Sequence, residues 1–155
     1  MDEGAFAAAV DRLYAGLVQR LTLVLHDAED AKDVAQDAYA RAFEAWDRFD
    51  GTDVRAWLHT IGLRLAFNRL RRRRLWGRWL HGQQPQSWVM PERIDLWNAL
   101  GGLTPQQRAA LLLNVVDGYT QAEVGRMLGA PTGTVAAWIH EAKAHLRATL
   151  GEGPQ

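Results

Sequence analysis

No cysteine occurs among the 155 residues. Its absence removes disulfides, thiolate metal sites and cysteine nucleophiles, and it fits a reducing compartment. No apolar run approaches the roughly 20 residues that a membrane span needs. The amino terminus, MDEGAFAAAV, lacks a basic segment followed by an apolar core, so no signal peptide is expected. A cytoplasmic location follows, with no membrane insertion of the chain's own. No strand pattern is visible, and no glycine-rich loop follows a strand to cradle a phosphate. The histidines lie at 26, 59, 81, 140 and 145. His140 and His145 are five residues apart, poorly spaced for one helical face, so no metal pair is expected. The carboxylates are plentiful but scattered. No catalytic residue, no metal and no cofactor is expected, and the chain does not read as an enzyme.

Net charge is also absent: 18 Lys and Arg balance 18 Asp and Glu. The balance hides segregation. Residues 1–54 hold 12 acids against 5 bases, and residues 55–93 hold 9 arginines against 1 acid. Residues 94–155 are nearly neutral, with 5 acids and 4 bases. Charge sorted in this way points to different partners for different faces.

Apolar residues at steps of three and four predict a helix over 5–25, with Phe6, Val10, Leu13, Leu17, Leu21 and Val24 on its buried face. Asp27 can cap a second helix over 28–47. In that helix Val34, Ala38, Phe43 and Trp46 form the expected buried stripe, while Asp30, Asp33, Gln36, Asp37 and Arg41 look outward. A turn, Trp46-Asp47-Arg48-Phe49-Asp50-Gly51, leads to a third helix over 54–74, capped by Thr52 or Asp53. Its expected buried side is Trp57, Leu58, Ile61, Leu65 and Leu70. Its polar side is Arg55, Arg64, Asn68, Arg69 and the run Arg71 to Arg74. Four adjacent arginines exceed what a helix dipole asks of its last turn. Arginine suits phosphate because its planar fork donates bidentately and stays charged. Aromatics interleaved with such a helix suit single-stranded DNA, whose bases stack on rings while arginines track the backbone.

Residues 75–93 break every periodicity with Gly, Gln and Pro and read as a linker, unusually rich in tryptophan (Trp76, Trp79, Trp88). A short helix is expected over 94–101. Thr104-Pro105 starts another that reaches about Asp117, with Ala109, Leu112, Leu113 and Val116 inside. Thr120 and Glu123 form a capping box for Gln121–Leu128, Gly129 ends that helix, and the last runs from Thr132 to Leu150. Two helices joined by a turn containing Gly129 match the helix-turn-helix arrangement, with Gly125 at the crossing and Val124, Leu128, Val135 and Ile139 as core.

Together these stretches resemble an extracytoplasmic-function (ECF) sigma factor of bacterial RNA polymerase. The likeness covers roughly residues 6–74 and 94–150. It rests on AEDAKDVAQDAY (28–39), DRFDG (47–51), VRAWL (54–58), NRLRRRR (68–74), LTPQQR (103–108), DGYTQAE (117–123) and GTV (133–135). No single piece is diagnostic; their order and spacing are. The resemblance implies an all-α chain of two small helical domains: sigma domain two over 1–74 and sigma domain four, a helix-turn-helix, over 94–155, joined by a flexible linker, 75–93. It implies that Asp30, Asp33, Gln36, Asp37 and Tyr39 dock on the clamp helices of the polymerase's largest subunit, with the flap as a further contact. It implies that Trp46, Arg48, Phe49, Asp50, Arg55, Trp57, Arg64, Asn68, Arg71 and Arg72 open and hold the minus-ten promoter element. Thr132, Thr134, Trp138, His140 and Lys143 would read the minus-thirty-five element. Core RNA polymerase and promoter DNA are the implied partners, and many relatives are held by an anti-sigma factor.

The second half departs from the family pattern. Ala136, Trp138 and Glu141 stand where relatives usually carry basic residues, although nucleic-acid modules are normally basic. Trp138, exposed in a groove, could instead meet a thymine methyl. Two alternatives follow: a sigma-like protein that docks on polymerase with degenerate promoter reading, and a stand-alone helix-turn-helix regulator.

Overall fold

The computed structural model describes residues 3–76 and 94–151. Contacts divide the chain into two units, Met1–His81 and Gly82–Gln155. Among the described residues every regular element is helical, so the all-α expectation holds. The first unit carries α1 (Glu3–Val10), α2 (Tyr14–Leu25), α3 (Ala28–Ala45) and α4 (Val54–Trp76). The second carries α5 (Ile94–Gly101), α6 (Pro105–Leu111), α7 (Gln121–Leu128) and α8 (Thr132–Leu150).

The single helix expected over 5–25 is two helices. A tight 3-10 turn, Asp11–Leu13, separates α1 from α2 and leaves Leu13 half-buried rather than in the core. At that turn the Tyr39 hydroxyl of α3 donates to Asp11 Oδ1 at 2.7 Å. α2 stops at His26, which takes the left-handed conformation at φ 59°. Asp27 then caps α3, accepting the Asp30 N–H at 3.0 Å. α3 packs on α2 and α4 through a seam of small residues, Ala31, Ala35, Ala38 and Ala42, with Val34. Phe43 and Trp46, expected in that stripe, are half-buried at its end, where both rings pack edge-on against Phe6. α3 ends earlier than expected: Trp46–Arg48 is a 3-10 turn.

Asp53 starts α4, accepting the Ala56 N–H at 2.9 Å. The buried face of α4 is Leu58, His59, Gly62, Leu63 and Ala66. Of the five residues expected inside, only Leu58 is fully buried; Trp57, Ile61, Leu65 and Leu70 are half-buried. The helix is rotated because it meets α2 at a glycine. A Cβ on Gly62 would lie 2.9 Å from Leu17 Cδ1. α4 also continues through Leu75 and Trp76, the first two residues of the expected linker. Trp79, Trp88 and the linker's prolines lie outside the described residues.

In the second unit Thr104 caps α6 with a full capping box: it accepts the Gln107 N–H at 3.1 Å, and its own N–H donates to Gln107 Oε1 at 3.0 Å. Arg108 is buried and donates to the carbonyls of Leu100, at 3.0 Å, and Leu103, at 2.6 Å, tying the end of α5 to α6. Burial pushes its guanidinium down to about 10, still charged at neutral pH. After Leu111 the helix widens into a π turn, Leu112–Val116, where the Asp117 N–H reaches back five residues to Leu112 O. The wider turn carries Val116 out of the core it was expected to join, leaving it 64% exposed. Thr120 and Glu123 form the expected capping box of α7, and Gly129 ends it at φ 71°. Met127 is buried and Leu128 half-buried, the reverse of the expected emphasis. α7 crosses α8 at Gly125, where a Cβ would lie 2.5 Å from the Ala130 carbonyl oxygen.

Candidate nucleic-acid interface

α4 advances about 100° per residue, which decides which side chains share a face. Trp57, Arg64, Asn68 and Arg71 fall on one side, opposite His59, Gly62 and Ala66, with Arg72 at the edge of the same face. Arg64, Asn68, Arg71 and Arg72 are exposed, and Trp57 is half-buried. Ile61 and Leu65 flank Arg72 on the side towards the core, giving a half-open apolar stripe beside a row of cations. Asn68 Oδ1 accepts from Arg71 Nη2 within the row. Arg55 does not join it: its phase is that of the buried side, and it is half-buried in the first turn.

The loop before α4 adds aromatic surface. Trp46 stacks on Phe49, centroids 5.6 Å apart at 14°, and Phe49 lies 4.7 Å from Trp57. Trp46 and Trp57 are 6.0 Å apart, closing the cluster. The three rings expected to meet bases therefore also pack on one another, Trp46 and Phe49 stacked and Trp57 tilted against both. Arg48 and Asp50 are exposed at the rim of this loop.

On α3, Asp33, Gln36 and Asp37 are exposed on the outer face, as expected. Asp30 is not: it is 8% exposed, and its carboxylate faces α4. Arg69 Nη1 donates to Asp30 Oδ1 at 3.3 Å, and Arg73 Nη1 pairs with Oδ2. Two arginines of the basic helix thus cover it, which the pattern of α3 alone could not reveal. Arg69 also lies 3.7 Å from Asp33 Oδ2. Tyr39 turns from the acidic face towards α2. With Asp11, Tyr14 and Gln36 it lines a groove of about 520 Å³. Its hydrogen bond to Asp11, aided by burial, raises the phenol above its ordinary value.

In the second unit the candidate residues divide between two flanks of α8. Thr132, His140 and Lys143 share one, all exposed; Thr134 and Trp138 lie on the other. On the second flank Glu141 Oε1 accepts from Gln107 Nε2 at 3.0 Å, and His145 Nε2 lies 3.1 Å from Ala99 O. That flank faces α5 and α6 in its later turns, where Trp138 is half-buried and not exposed as expected, while Thr134 in the first turn is exposed. Among the described residues no group of three His, Cys, Asp or Glu is placed to hold a metal, and no helix is long and apolar enough to cross a membrane.

The profile described as Sigma-70 region 2 matches residues 7–75, and that of Sigma-70, region 4 matches residues 93–146. ECF RNA polymerase sigma factor SigM of Mycobacterium tuberculosis is 32% identical over 97% of this chain and 79% of its own length. The chain belongs to the ECF RNA polymerase sigma factors. ECF sigma factor SigE of Mycolicibacterium smegmatis is also 32% identical, over 92% of this chain; the chain spans 58% of that relative's length. Two solved structures share the fold. The sigma factor RpoE, in complex with the anti-sigma factor NepR from Bartonella quintana, aligns with TM-score 0.81 and 22% identity, covering 94% of this chain and 96% of that one. CnrH, in complex with the cytosolic domain of CnrY, aligns with TM-score 0.71 and 29% identity, covering 99% and 92%. A sigma factor initiates transcription without bond chemistry of its own, so the chain is not an enzyme.

Proposed function

We propose that this ECF sigma factor works in the cytoplasm, docks on core RNA polymerase through the outer face of α3 and opens promoters with the outer face of α4. The observation that carries the reading is the alignment of Trp57, Arg64, Asn68, Arg71 and Arg72 along α4, opposite the core. Cations in that row neutralise phosphates and release counterions. Trp57, with the Trp46–Phe49 stack beside it, offers an aromatic edge to an unstacked base. Such a contact offsets part of the few kcal/mol that unstacking costs. Arg48 and Asp50 supply polar groups at the same end. Arg55 leaves the DNA-contacting set, because it lies off the row. Asp30 leaves the docking set, because α4 covers it.

Docking then rests on Asp33, Gln36 and Asp37, with Tyr39 at the neighbouring groove. Exposed carboxylates of this kind steer and orient association with a basic partner. The double substitution Asp33→Ala with Asp37→Ala should weaken binding to core polymerase while leaving helicity intact. Wild-type affinity from a folded double variant would contradict the docking face.

The second unit supports a narrower role. Thr132, His140 and Lys143 form the α8 flank free to meet the minus-thirty-five element, while Thr134 and Trp138 face the other way. Glu141, held by Gln107, is directed away from that flank. With so few cations, recognition leans on the minus-ten element. An anti-sigma partner fits the same reading, since RpoE and CnrH were each solved in a complex.

A further inference from the structure

The run Arg71 to Arg74, with Arg69 before it, does not act as one block of charge. Arg71, Arg72 and Arg74 are exposed. Arg69 and Arg73 are one helical turn apart on the opposite side, their side chains 25% and 33% exposed, and both close on the single carboxylate of Asp30. The Asp30 side chain is 11% exposed. Its backbone N–H is fixed by the Asp27 cap at the start of α3, and Arg69 Nη1 also lies 3.5 Å from its carbonyl oxygen. One buried acid at the head of α3 therefore holds two cations at the tail of α4.

We propose that Asp30 is a positioning residue for promoter recognition: by sequestering Arg69 and Arg73 it limits the α4 cations available to DNA phosphates to those on the outer face and fixes the helical phase in which Arg71 and Arg72 are presented. Phosphate contacts carry no sequence information of themselves, and each added one raises binding to any DNA. Holding back two arginines lowers non-specific attraction without touching the outer row. The ion pairs also anchor the last turns of α4, where Leu75 is 81% exposed and packing is thin. The proposal rests on the reading of α4 as the DNA-facing helix.

The test uses the full chain and a fluorescein-labelled duplex of non-promoter sequence, with affinity measured over a salt series. Asp30→Asn keeps the shape of the side chain and removes the charge. Arg69 and Arg73 are already partly solvated, so once released they swing into water and the variant stays folded. Its log affinity should fall more steeply with log salt, by about 0.9 for released Arg73, and by about 1.8 where Arg69 also leaves Asp33 Oδ2, 3.7 Å away. In the polymerase complex, its preference for a promoter fragment over the same non-promoter duplex should drop. Glu29→Gln makes the same charge change at an exposed neighbouring site paired with Lys32, at 3.6 Å, and should leave the slope at the wild-type value. An unchanged slope for folded Asp30→Asn, or equal steepening by Glu29→Gln, would overturn the proposal. If Asp30→Asn does not fold, Arg73→Gln against Arg72→Gln decides. The first should leave the slope unchanged and the second should lower it by about 0.9; equal losses would overturn the proposal. A slope that Arg72→Gln leaves unchanged would refute the DNA face itself. That failure is distinct from one in which Arg72→Gln lowers the slope but Asp30→Asn does not raise it.

Discussion

Replacing Gly125 with alanine would set a Cβ 2.5 Å from the Ala130 carbonyl oxygen and 3.7 Å from Val135 Cγ2. The nearer obstacle is backbone. The Ala130 N–H donates to Gly125 O at 2.9 Å, so the carbonyl sits in a turn closed by the substituted residue itself. No rotamer change relieves the contact; α7 must draw away from the start of α8. Overpacking of this kind costs about 1–3 kcal/mol. Alanine returns about 1 kcal/mol through better helix propensity. The net expectation is a loss of about 1 kcal/mol, or about fivefold in a local opening equilibrium. Amide hydrogen exchange of peptides from 121–128 and 132–150 should quicken by about that factor, with α1 to α4 unchanged. Gly16→Ala supplies the opposite sign, because nothing lies within 4 Å of the added Cβ. There the propensity gain stands alone, and α2 should exchange about fivefold more slowly. A Gly125→Ala protein with wild-type or slower exchange across α7 and α8 would refute the reasoning.

Arg71→Ala combined with Arg72→Ala should weaken DNA binding and flatten its salt dependence by about 1.8 in log–log slope; an unchanged slope would remove the phosphate role of the outer row. Arg108→Met keeps the apolar stem but strands the carbonyls of Leu100 and Leu103. It should destabilise the second unit by about 2–3 kcal/mol in urea denaturation, and a loss below about 1 kcal/mol would contradict the buried tether. The Glu123 carboxyl is held below its ordinary value chiefly by the Thr120 N–H. Its contribution is therefore present above the usual carboxylate range and is lost as pH falls through the lower folded value. Exchange protection of α7 should fall with acidification, and Glu123→Gln should flatten that part of the pH profile; an identical acid profile in the variant would count against the capping box as its source.

Helix starts were legible because their causes are local. Asp27, Thr104 with Pro105, and Thr120 with Glu123 each satisfy backbone donors within three residues, so the signal and its partner sit in one short stretch. Gly129 marks its own conformation in the same way. Packing between distant segments was not legible. Counting large apolar residues turned α4 towards Trp57, Ile61 and Leu65, whereas the close approach to α2 is made at Gly62, with His59 and Ala66 beside it. The small residues that permit contact carry little hydrophobic signal. Asp30 reads as one more exposed acid until Arg69 and Arg73 arrive from α4, and Arg69 is 39 residues away. Glu141 reads as a charge facing DNA until Gln107, 34 residues earlier, claims it. The π turn that exposes Val116 has no local marker in the apolar pattern. Arg108 has none either, because a basic residue in the first turns of a helix ordinarily faces water.

On the proposed function, this chain gives core RNA polymerase a promoter specificity carried mainly by α4. The most direct measurement mixes the full chain with bacterial core RNA polymerase and maps transcript start sites on fragmented genomic DNA. Defined start sites should appear that share an upstream motif, tightly constrained at the minus-ten element and loosely at the minus-thirty-five. A stable complex that yields only scattered starts would contradict promoter reading by α4, and no complex at all would contradict the docking face on α3.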